Sequence, residues 1–344
     1  MTERADKLPG GATMNALSID VEDYFQVSAF APYIARSEWE ARECRVERNV
    51  ERIMAMLDEA GAKATFFTLG WIAERYPQVV RRIVDAGHEL ASHGFGHHRA
   101  NEQTEDAFLA DIDLAKLVLE DIGGVEVRGY RAPSFSINND NPWAFDCLSR
   151  AGYKYSSSVY PVQHDHYGMP EAPRFAHFVR PELMEIPIST VRVGARNWPA
   201  GGGGFFRLLP YTVTRRMIRH VNKVDRQAAI FYFHPWEIDH EQPRVDGLDR
   251  KSRFRHYLNL HRTEERLQRL LGDFIWGRID QVFPIEGEPA DDAWVPSSRP
   301  EGEQVGVFRD SVVEFARSKR IAGSGDAAGA PFSQSDTYFG STRP

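Results

Sequence analysis

The chain has 344 residues, of which 42% are hydrophobic and 12% aromatic, and this composition excludes a disordered protein and allows a large buried core. The formal net charge of −7 gives no electrostatic basis for binding nucleic acid. No apolar run reaches the roughly 20 residues of a membrane span, and the polar first residues lack the apolar core of a signal peptide. We therefore expect a cytoplasmic protein, with peripheral association with export machinery as an option, and leave its oligomeric state open.

The first half of the chain alternates between short apolar runs and segments with helical periodicity. Residues 1–14 predict a flexible N-terminus, and residues 16–19 predict a buried strand that ends at Asp20. The next elements, in order, are a helix over 48–60, a strand over 64–69, a helix that starts near Pro77, a strand over 87–92, a helix over 105–122, a strand over 127–131 and a helix over 142–151. Glycines follow several of the helices, as is typical of helix C-termini.

The second half continues the alternation less regularly. Its predicted elements are strands over 153–159 and 183–188, a helix over 211–224, a strand over 228–233, a long helix over 252–271 and a strand over 274–279. Residues 197–210 contain four consecutive glycines and predict a loop. Because no Lys-Ser/Thr pair follows them, a lid or a substrate-side loop is favoured over a phosphate-binding loop.

A change of composition after Pro284 separates the α/β domain from a C-terminal extension. Residues 284–304 are rich in proline and acidic residues and predict a linker, 305–321 have weak helical periodicity, and 322–344 predict a disordered tail. The two cysteines, Cys44 and Cys147, have neither metal-binding nor redox spacing, which favours reduced thiols.

Four polar residues each follow a predicted strand: Asp20, His93, Arg131 and His234. Strands that alternate with helices pair in parallel and form a wound or barrel-shaped sheet. In a barrel, the carboxyl ends of the strands meet on one face. We therefore expect these four side chains to lie together.

A metal site is indicated by His93 and His97, which are four residues apart and so share one side of a helical turn or tight loop. Two imidazoles and one carboxylate suit a divalent metal, with zinc favoured and cobalt or another ion as alternatives. Asp20 and Glu22 point to the same side of an extended strand, so one can bind the metal while the other accepts a proton from water. Asp23 is the alternative ligand, and an acidic strand end that only caps the next helix is the non-functional interpretation.

The other candidates have catalytic and structural interpretations side by side. Arg131 can clamp a carboxylate bidentately and keep it ionised, or form an ordinary buried ion pair. His234 can act as a general acid, or be a core histidine bonded to the backbone. Backbone amides near Ser134 or Phe135 can supply oxyanion contacts, because Pro133 fixes the local path of the chain.

Taken jointly, these motifs resemble the polysaccharide deacetylases of the NodB-homology type, also called carbohydrate esterase family 4. The resemblance rests on Asp20-Val-Glu22-Asp23, Ser92-His93-x-x-x-His97, Arg131-x-Pro133 and Phe233-His234-Pro235. The strings DVEDYFQVSAF, GGGFFRLLPY and HPWEID are similar to the branch associated with bacterial exopolysaccharide and exosortase systems. The resemblance covers residues 15–283 and implies an α/β fold, a distorted (β/α) barrel, and metal-dependent removal of N-acetyl, or less often O-acetyl, groups.

Carried over by position, the resemblance implies that Asp20 is the base, His93 and His97 are metal ligands, Arg131 orients the base and His234 is the acid. Two departures follow from the sequence. Val21 stands where the family has a second aspartate, which leaves Glu22 (preferred) or Asp23 as the metal carboxylate. The family's Asp-Ser-Ser stretch is Ser156-Ser157-Ser158 here, so Glu237 or Asp239 would have to pair with the acid histidine.

The leading hypothesis is a metal-dependent deacetylase that acts on an acetylated amino-sugar polysaccharide or oligosaccharide, either a bacterial exopolysaccharide or its precursor. An open groove lined by Trp143, Trp198 and Trp236 would favour a sugar, and Trp236 is the candidate for substrate binding. A narrow pocket would favour a small amide or ureide hydrolase on the same barrel. The third hypothesis is an inactive carbohydrate-binding barrel.

Overall fold

The structure, a computed structural model, describes residues 12–165 and 167–285. Its strands, in chain order, are β1 (Met14–Val21), β2 (Thr65–Thr68), β3 (Glu89–Ser92), β4 (Gly129–Tyr130), β5 (Tyr155–Ser156), β6 (His177–Arg180), β7 (Leu183–Glu185), β8 (Thr190–Val193), β9 (Arg196–Pro199), β10 (Ile230–Phe233) and β11 (Ile275–Gly277). Nine of them form one sheet in the order β10-β1-β2-β3-β4-β5-β7-β6, with β11 also paired to β1. Its pairings are parallel except between β6 and β7, while β8 and β9 form a separate antiparallel hairpin.

Helices connect the parallel strands and cover the outside of the sheet. They are α1 (Val46–Glu59), α2 (Gly70–Arg75), α3 (Pro77–Asp85), α4 (Glu105–Gly123), α5 (Trp143–Arg150), α6 (Gly203–Leu208), α7 (Tyr211–Lys223), α8 (Arg250–Tyr257), α9 (Thr263–Asp273) and α10 (Ile279–Val282). All eight helices and strands predicted for the first half have counterparts here within a few residues, from β1 to α5. Pro77 occupies the first turn of α3, where its missing N–H costs no hydrogen bond.

Residues of β1 alternate between the outer core and the interior of the sheet. Leu17 and Ile19 belong to the hydrophobic core formed with α1 and α9. Ser18 and Asp20 face the other way, and both accept hydrogen bonds from Arg131. Because side chains of a strand alternate between its two faces, the strand that builds the outer core also directs a carboxylate into the interior.

The chain that follows β7 closes the sheet into a distorted barrel, because it bonds first to the end of β5 and then to β10. On one side, the amide of Ile186 donates to the carbonyl of Ser156 over 2.8 Å. On the other, the amide of Tyr232 donates to the carbonyl of Gly201 over 2.7 Å. Between them, Ser189 accepts from the amide of Ala200 over 2.9 Å. The expected α/β fold with a distorted barrel is therefore confirmed.

The glycine-rich segment 197–210 is not the loop that the sequence predicts. It contains β9 and α6, and Gly201, Gly202 and Gly203 pack directly on β10. A Cβ atom at Gly202 would lie 2.0 Å from the carbonyl oxygen of Tyr232, and Gly202 has φ 116°. Only glycine fits this close approach, so the segment belongs to the barrel wall rather than to a lid.

The predicted long helix over 252–271 is also wrong, because the chain breaks into α8 and α9. Asn259 between them has a left-handed backbone with φ 53°, a conformation that asparagine tolerates. Arg207 donates to the carbonyls of His256 and Leu258, which are left without helical partners at this break. The contact comes from about fifty positions upstream, so no local pattern announces it.

Several boundaries differ from the prediction, and some predictions cannot be compared. The strand expected over 153–159 is limited to Tyr155–Ser156, and the strand β6 and the β8–β9 hairpin were not predicted. Both cysteines are free thiols. The predicted flexible N-terminus up to residue 11, and the linker, helix and tail after residue 285, lie outside the described residues. Within those residues, which belong to one compact unit, no helix is long and apolar enough to cross a bilayer.

Candidate metal centre and active site

The carboxyl ends of four parallel strands bring the predicted site residues together. Asp20 is near the end of β1, His93 follows β3, Arg131 follows β4 and His234 follows β10. All except His234 are buried, and His234 is 19% exposed. Only this histidine therefore reaches the surface, which places the accessible side of the cluster next to it.

Glu22, His93 and His97 form a cluster that fits a metal ion. Their ligand atoms all lie within 4.8 Å of one another, and the three residues are 3%, 2% and 5% exposed. Oε2 of Glu22 lies 2.6 Å from Nε2 of His97. Two imidazoles and one carboxylate are the donor set of catalytic zinc sites, which keep a further position open.

His93 is held in the form that a metal requires. Its Nδ1 lies 2.8 Å from the carbonyl oxygen of Arg131. Because a carbonyl can only accept, Nδ1 carries the proton and Nε2 keeps its lone pair. Burial also lowers the pKa of His93 to about 4, so the imidazole is neutral at physiological pH.

Glu22 is ionised in spite of its burial. Burial alone would raise the pKa of Glu22, but the imidazoles of His97, His234 and His93 outweigh it and hold this pKa well below its usual range. The indole N–H of Trp236 donates to Glu22 Oε1 over 3.1 Å. Glu22 therefore presents a charged carboxylate whose orientation is fixed by a neighbouring aromatic ring.

The loop that carries His97 is fixed by two charged residues. Arg36 donates from Nε to the carbonyl of Gly96 and from Nη2 to the carbonyl of His97, both over 2.9 Å. Asp111 accepts from the amides of Phe95 and Gly96 over 3.0 and 3.3 Å. His97 itself has φ 54°, so the two histidines lie on a tight loop and not on a helical turn.

Arg131 fixes Asp20, although by one hydrogen bond rather than bidentately. Its Nη1 donates to Asp20 Oδ1 over 2.6 Å and to the hydroxyl of Ser18 over 2.9 Å. Nε and Nη2 bond to the carbonyl and the hydroxyl of Ser157 over 3.1 and 3.0 Å. Oδ2 of Asp20 is therefore left to face His234, whose Nε2 lies 3.8 Å away.

Glu237 is the carboxylate that pairs with His234. Its Oε1 lies 2.7 Å from His234 Nδ1, and its Oε2 accepts from Arg207 Nε over 2.6 Å. Asp239, the alternative from the sequence, pairs instead with Arg45. Burial alone would lower the pKa of His234, but Glu237 and the nearby carboxylates raise it to about 9. At neutral pH the ring therefore carries a proton on Nε2, 3.6 Å from Glu22 Oε1.

Two predicted site residues are placed differently from the expectation. Asp23 is outside the metal-binding cluster, because its carboxylate accepts from the backbone amides of Tyr24 and Val46 over 2.7 and 2.8 Å, and from that of Arg45. Trp236 is 4% exposed and stacks on His234, with ring centroids 5.1 Å apart. Burial leaves Trp236 no open face for a sugar, so it supports Glu22 instead of binding substrate.

Ser134 and Phe135, the expected oxyanion residues, both have left-handed backbones, with φ 55° and 50°. Such a pair of non-glycine residues stores strain, which structures retain at functional sites. The amide of Phe135 donates to the carbonyl of Ala132 over 3.0 Å, so this donor is already used. Ser134 is held by a 2.7 Å hydrogen bond from its hydroxyl to that of Ser28, and its part in the site stays a prediction.

Sequence reasoning missed the supporting residues Arg36, Asp111 and Arg207. Asp111 was placed inside a predicted helix, where an acidic residue normally faces solvent. Arg207 lies within the glycine-rich segment 197–210, and its only signal was its place in a string similar to the exopolysaccharide-associated branch. None of the three belongs to a motif with fixed spacing from the site.

Two family models match consecutive regions of the chain. A model described as polysaccharide deacetylase matches residues 42–156, and a model described as a domain of unknown function (DUF3473) matches residues 157–284. Asp20 and Glu22 precede the first match. His234, Glu237 and Arg207 lie within the second, so residues of both matched regions meet at this site.

The similar proteins include several deacetylases. The chain is 30% identical over 117 residues to a peptidoglycan deacetylase of Helicobacter pylori, covering 33% of this chain and 38% of that protein. It is 32% identical over 94 residues to a peptidoglycan-N-acetylglucosamine deacetylase of Bacillus cereus, covering 27% and 34%. It is 34% identical over 82 residues to a chitooligosaccharide deacetylase of Azorhizobium caulinodans, covering 24% and 39%. The matched region thus spans less than two fifths of each relative.

The fold has a counterpart among solved structures. A Mycobacterium smegmatis protein assigned to the polysaccharide deacetylases superimposes with a TM-score of 0.53 and 20% identity, covering 88% of this chain and 99% of that one. At this identity the likeness establishes the fold alone.

Proposed function

We propose, from the premise that this chain carries a polysaccharide deacetylase domain, that it is a metal-dependent hydrolase which removes the acetyl group from an N-acetylated amino sugar in a glycan. The family predicted from the sequence is confirmed by the match over residues 42–156 and by the named relatives. The observation that carries the proposal is the meeting of Asp20, His234 and the cluster of Glu22, His93 and His97 at one end of the barrel.

Hydrolysis of an amide requires a base for water and an acid for the leaving nitrogen. Asp20 suits the base, because Arg131 occupies Oδ1 and leaves Oδ2 to accept a proton from water. The resulting hydroxyl oxygen attacks the acetyl carbon, and the carbon–nitrogen bond then breaks. His234 suits the acid, because its raised pKa keeps a proton on Nε2 for the departing amine.

The residues present fit the metal that the fold family implies. Glu22, His93 and His97 would hold it through one carboxylate and two imidazole nitrogens, and zinc is the ion we propose, since imidazole and carboxylate both suit it. A divalent ion bound there supplies Lewis-acid polarisation of the acetyl carbonyl and lowers the pKa of water. Trp236 and the carbonyl of Arg131 hold two of these ligands in place.

The proposed substrate is a bacterial exopolysaccharide or its precursor. Its chemical class, an acetylated amino-sugar chain, is supported by relatives whose names refer to peptidoglycan and chitooligosaccharides. The exopolysaccharide itself rests on the similarity of DVEDYFQVSAF and HPWEID to the exopolysaccharide-associated branch. O-deacetylation is the alternative reaction, and the expected cytoplasmic location stays a prediction.

Release of acetate from defined glycans tests the proposal. Wild-type protein loaded with zinc should release acetate from N-acetylglucosamine oligomers, peptidoglycan fragments or acetylated exopolysaccharide. Asp20→Asn should bind zinc normally and lose roughly a hundred- to a thousandfold in turnover, as removal of a general base does. Asp246→Asn, at an exposed aspartate, is the matched control and should be fully active. Absence of acetate release from every glycan by the zinc-loaded wild type would favour the inactive binding barrel.

A further inference from the structure

Arg131 is the largest fully buried side chain of the described residues, and its position depends on hydrogen bonds from residues far along the chain. Ser157 accepts from its Nε through the backbone carbonyl and from its Nη2 through the hydroxyl. The next residue, Ser158, accepts from the amide of Ala132 over 2.9 Å. The two serines thus hold both the guanidinium and the backbone beside it.

The second of these serines, Ser158, is in turn held by Glu185, at the end of β7. Its Oε1 accepts from the amides of Ser158 and Val159, both over 2.9 Å. Glu185 is fully buried, and its Cα is paired with that of Ser156 in the sheet. A buried carboxylate that accepts two backbone amides fixes the path of the chain at that point.

We infer that Glu185, Ser157 and Ser158 form a positioning unit that seats Arg131 and, through it, orients the base Asp20. This inference rests on the proposed function. Glu185 touches neither Asp20 nor the metal ligands by hydrogen bond, so it is a positioning residue and not a catalytic one. The unit gives a role to Ser157 and Ser158, the last two residues of the Ser156-Ser157-Ser158 stretch.

The unit also joins the two matched regions of the chain. Arg131 lies in the polysaccharide deacetylase match, whereas Ser157, Ser158 and Glu185 lie in the domain of unknown function. The hydrogen bonds that fix the guanidinium therefore cross the boundary between the matches. On this inference, one task of the second region is to hold Arg131 of the first and, through it, to keep the base Asp20 in its reactive orientation.

The hydrogen bonds of Arg131 explain why its guanidinium needs support from this unit. Asp20 and Ser18 both accept from Nη1 alone, so the orientation of the guanidinium also depends on what holds Nε and Nη2. Nε and Nη2 bond to Ser157, and Glu185 holds the amide of Ser158, the residue that follows it in the chain. A displacement of the guanidinium would move Asp20 away from the attacking water, and small displacements of reacting groups are costly.

A double-mutant cycle tests the inference. Glu185→Leu removes the acceptor, and it should lower kcat roughly 10- to 100-fold with KM nearly unchanged. Glu185→Gln keeps an oxygen acceptor and should retain most of the activity. In combination with Arg131→Lys, Glu185→Leu should cost little beyond Arg131→Lys alone, because both changes act on the same contact. If the two losses multiply, Glu185 acts independently of Arg131 and the inference is wrong.

Two further measurements separate positioning from folding and from the proposed function. Glu89→Gln, at a buried carboxyl on the opposite end of the barrel, is the matched control and should leave kcat unchanged. Crystal structures need no substrate: the contact between Arg131 Nη1 and Asp20 Oδ1 should be lost in Glu185→Leu and kept in Glu185→Gln. Retention of the contact in folded Glu185→Leu would overturn the inference, whereas a wild type inactive on all glycans would overturn the proposed function. If Glu185→Leu does not fold, Ser157→Ala replaces it, with the same contact measured.

Discussion

Two buried carboxyl groups at opposite ends of the same barrel, Glu22 and Glu89, have pKa values shifted in opposite directions. At the carboxyl ends of the strands, the imidazoles around Glu22 hold its pKa well below the usual range. At the amino ends, Glu89 accepts from the hydroxyls of Thr65 and Tyr155 over 2.5 and 2.8 Å and from the amide of Asp280 over 3.3 Å. There burial, with a further contribution from Asp280, raises the pKa of Glu89 to about 7.

Burial does not account for this difference, since Glu22 is 3% and Glu89 8% exposed. The partners account for it. Groups that can carry positive charge stabilise the ionised form of Glu22, whereas neutral hydroxyls and amides compensate only part of the desolvation of Glu89. The carboxyl ends of the strands therefore hold ionised groups that can take part in catalysis. The amino ends, called the floor below, hold a buried carboxyl group with a raised pKa. Substitutions at the two ends should have different consequences.

The largest effect is expected at the charged end, from loss of a metal ligand. His97→Ala removes one of three donors, and we expect loss of bound zinc together with roughly a thousandfold loss of turnover. Metal analysis after dialysis, paired with acetate release, measures both. His240→Ala, at an exposed histidine, is the control. Full zinc occupancy in His97→Ala would remove His97 from the metal centre.

His234→Ala tests the same end without touching a ligand. Zinc should stay bound, while turnover falls roughly a hundred- to a thousandfold because the leaving amine has no proton donor. The pKa of His234 is raised to about 9, so wild-type turnover should fall as the pH rises through that value. A pH profile of kcat should show this alkaline limb in the wild type and lack it in the variant. Unchanged turnover in His234→Ala would exclude the histidine as the acid.

The charged end was also the more predictable of the two from sequence. His93 and His97 lie within one short motif, and Asp20 and Glu22 within another, so spacing and strand ends were enough to place them together. The partner of His234 could not be chosen, because Glu237 and Asp239 both follow it within five positions. The choice depends on Arg207, 30 positions away, and on Arg45, 194 positions from Asp239.

Trp236 shows the same limit in another form. A tryptophan beside the site residues suits stacking on a sugar, but identity alone does not reveal whether the ring is exposed. Burial between His234 and His256 decides against it, and His256 comes from α8, which the sequence merged with α9. The fold was predictable where helices and strands alternate regularly along the chain. It was less predictable at the break between α8 and α9, where Arg207 bonds from a distant part of the sequence.

At the floor, Glu89→Gln should change stability and leave turnover unaltered. The folded-state pKa of Glu89 is about 7, above the ordinary value of 4.5, so between these values the folded protein binds more protons than the unfolded chain. Stability from this group is therefore present below pH 4.5 and is lost as the pH rises through 7. The variant stays neutral, so it should gain on the wild type by about 2.5 kcal/mol between pH 5 and pH 8.

Denaturant unfolding of both proteins at the two pH values measures that gain, and taking the difference between them cancels the other titrating groups. Glu241→Gln, at an exposed glutamate, should give no such difference. Equal pH dependence of the wild type and Glu89→Gln would mean that Glu89 is ionised in the folded protein, and the contrast between the two ends would fail.

The smallest effect is expected from Thr65→Val, which keeps the shape of the side chain and removes its hydroxyl. That hydroxyl donates to Glu89 and accepts from the amide of Ile279 over 2.8 Å, so it joins β2 to the start of α10. Its loss leaves a buried amide unpaired, and we expect a cost of about 2 kcal/mol in the free energy of unfolding with kcat unchanged. Thr212→Val, at an exposed threonine of α7, should stay within about 0.5 kcal/mol of the wild type. A loss of turnover in folded Thr65→Val would show that the floor and the catalytic end are coupled. Thr65 begins the four-residue strand β2, and Thr68 at its other end accepts from the amide of His93 over 3.0 Å.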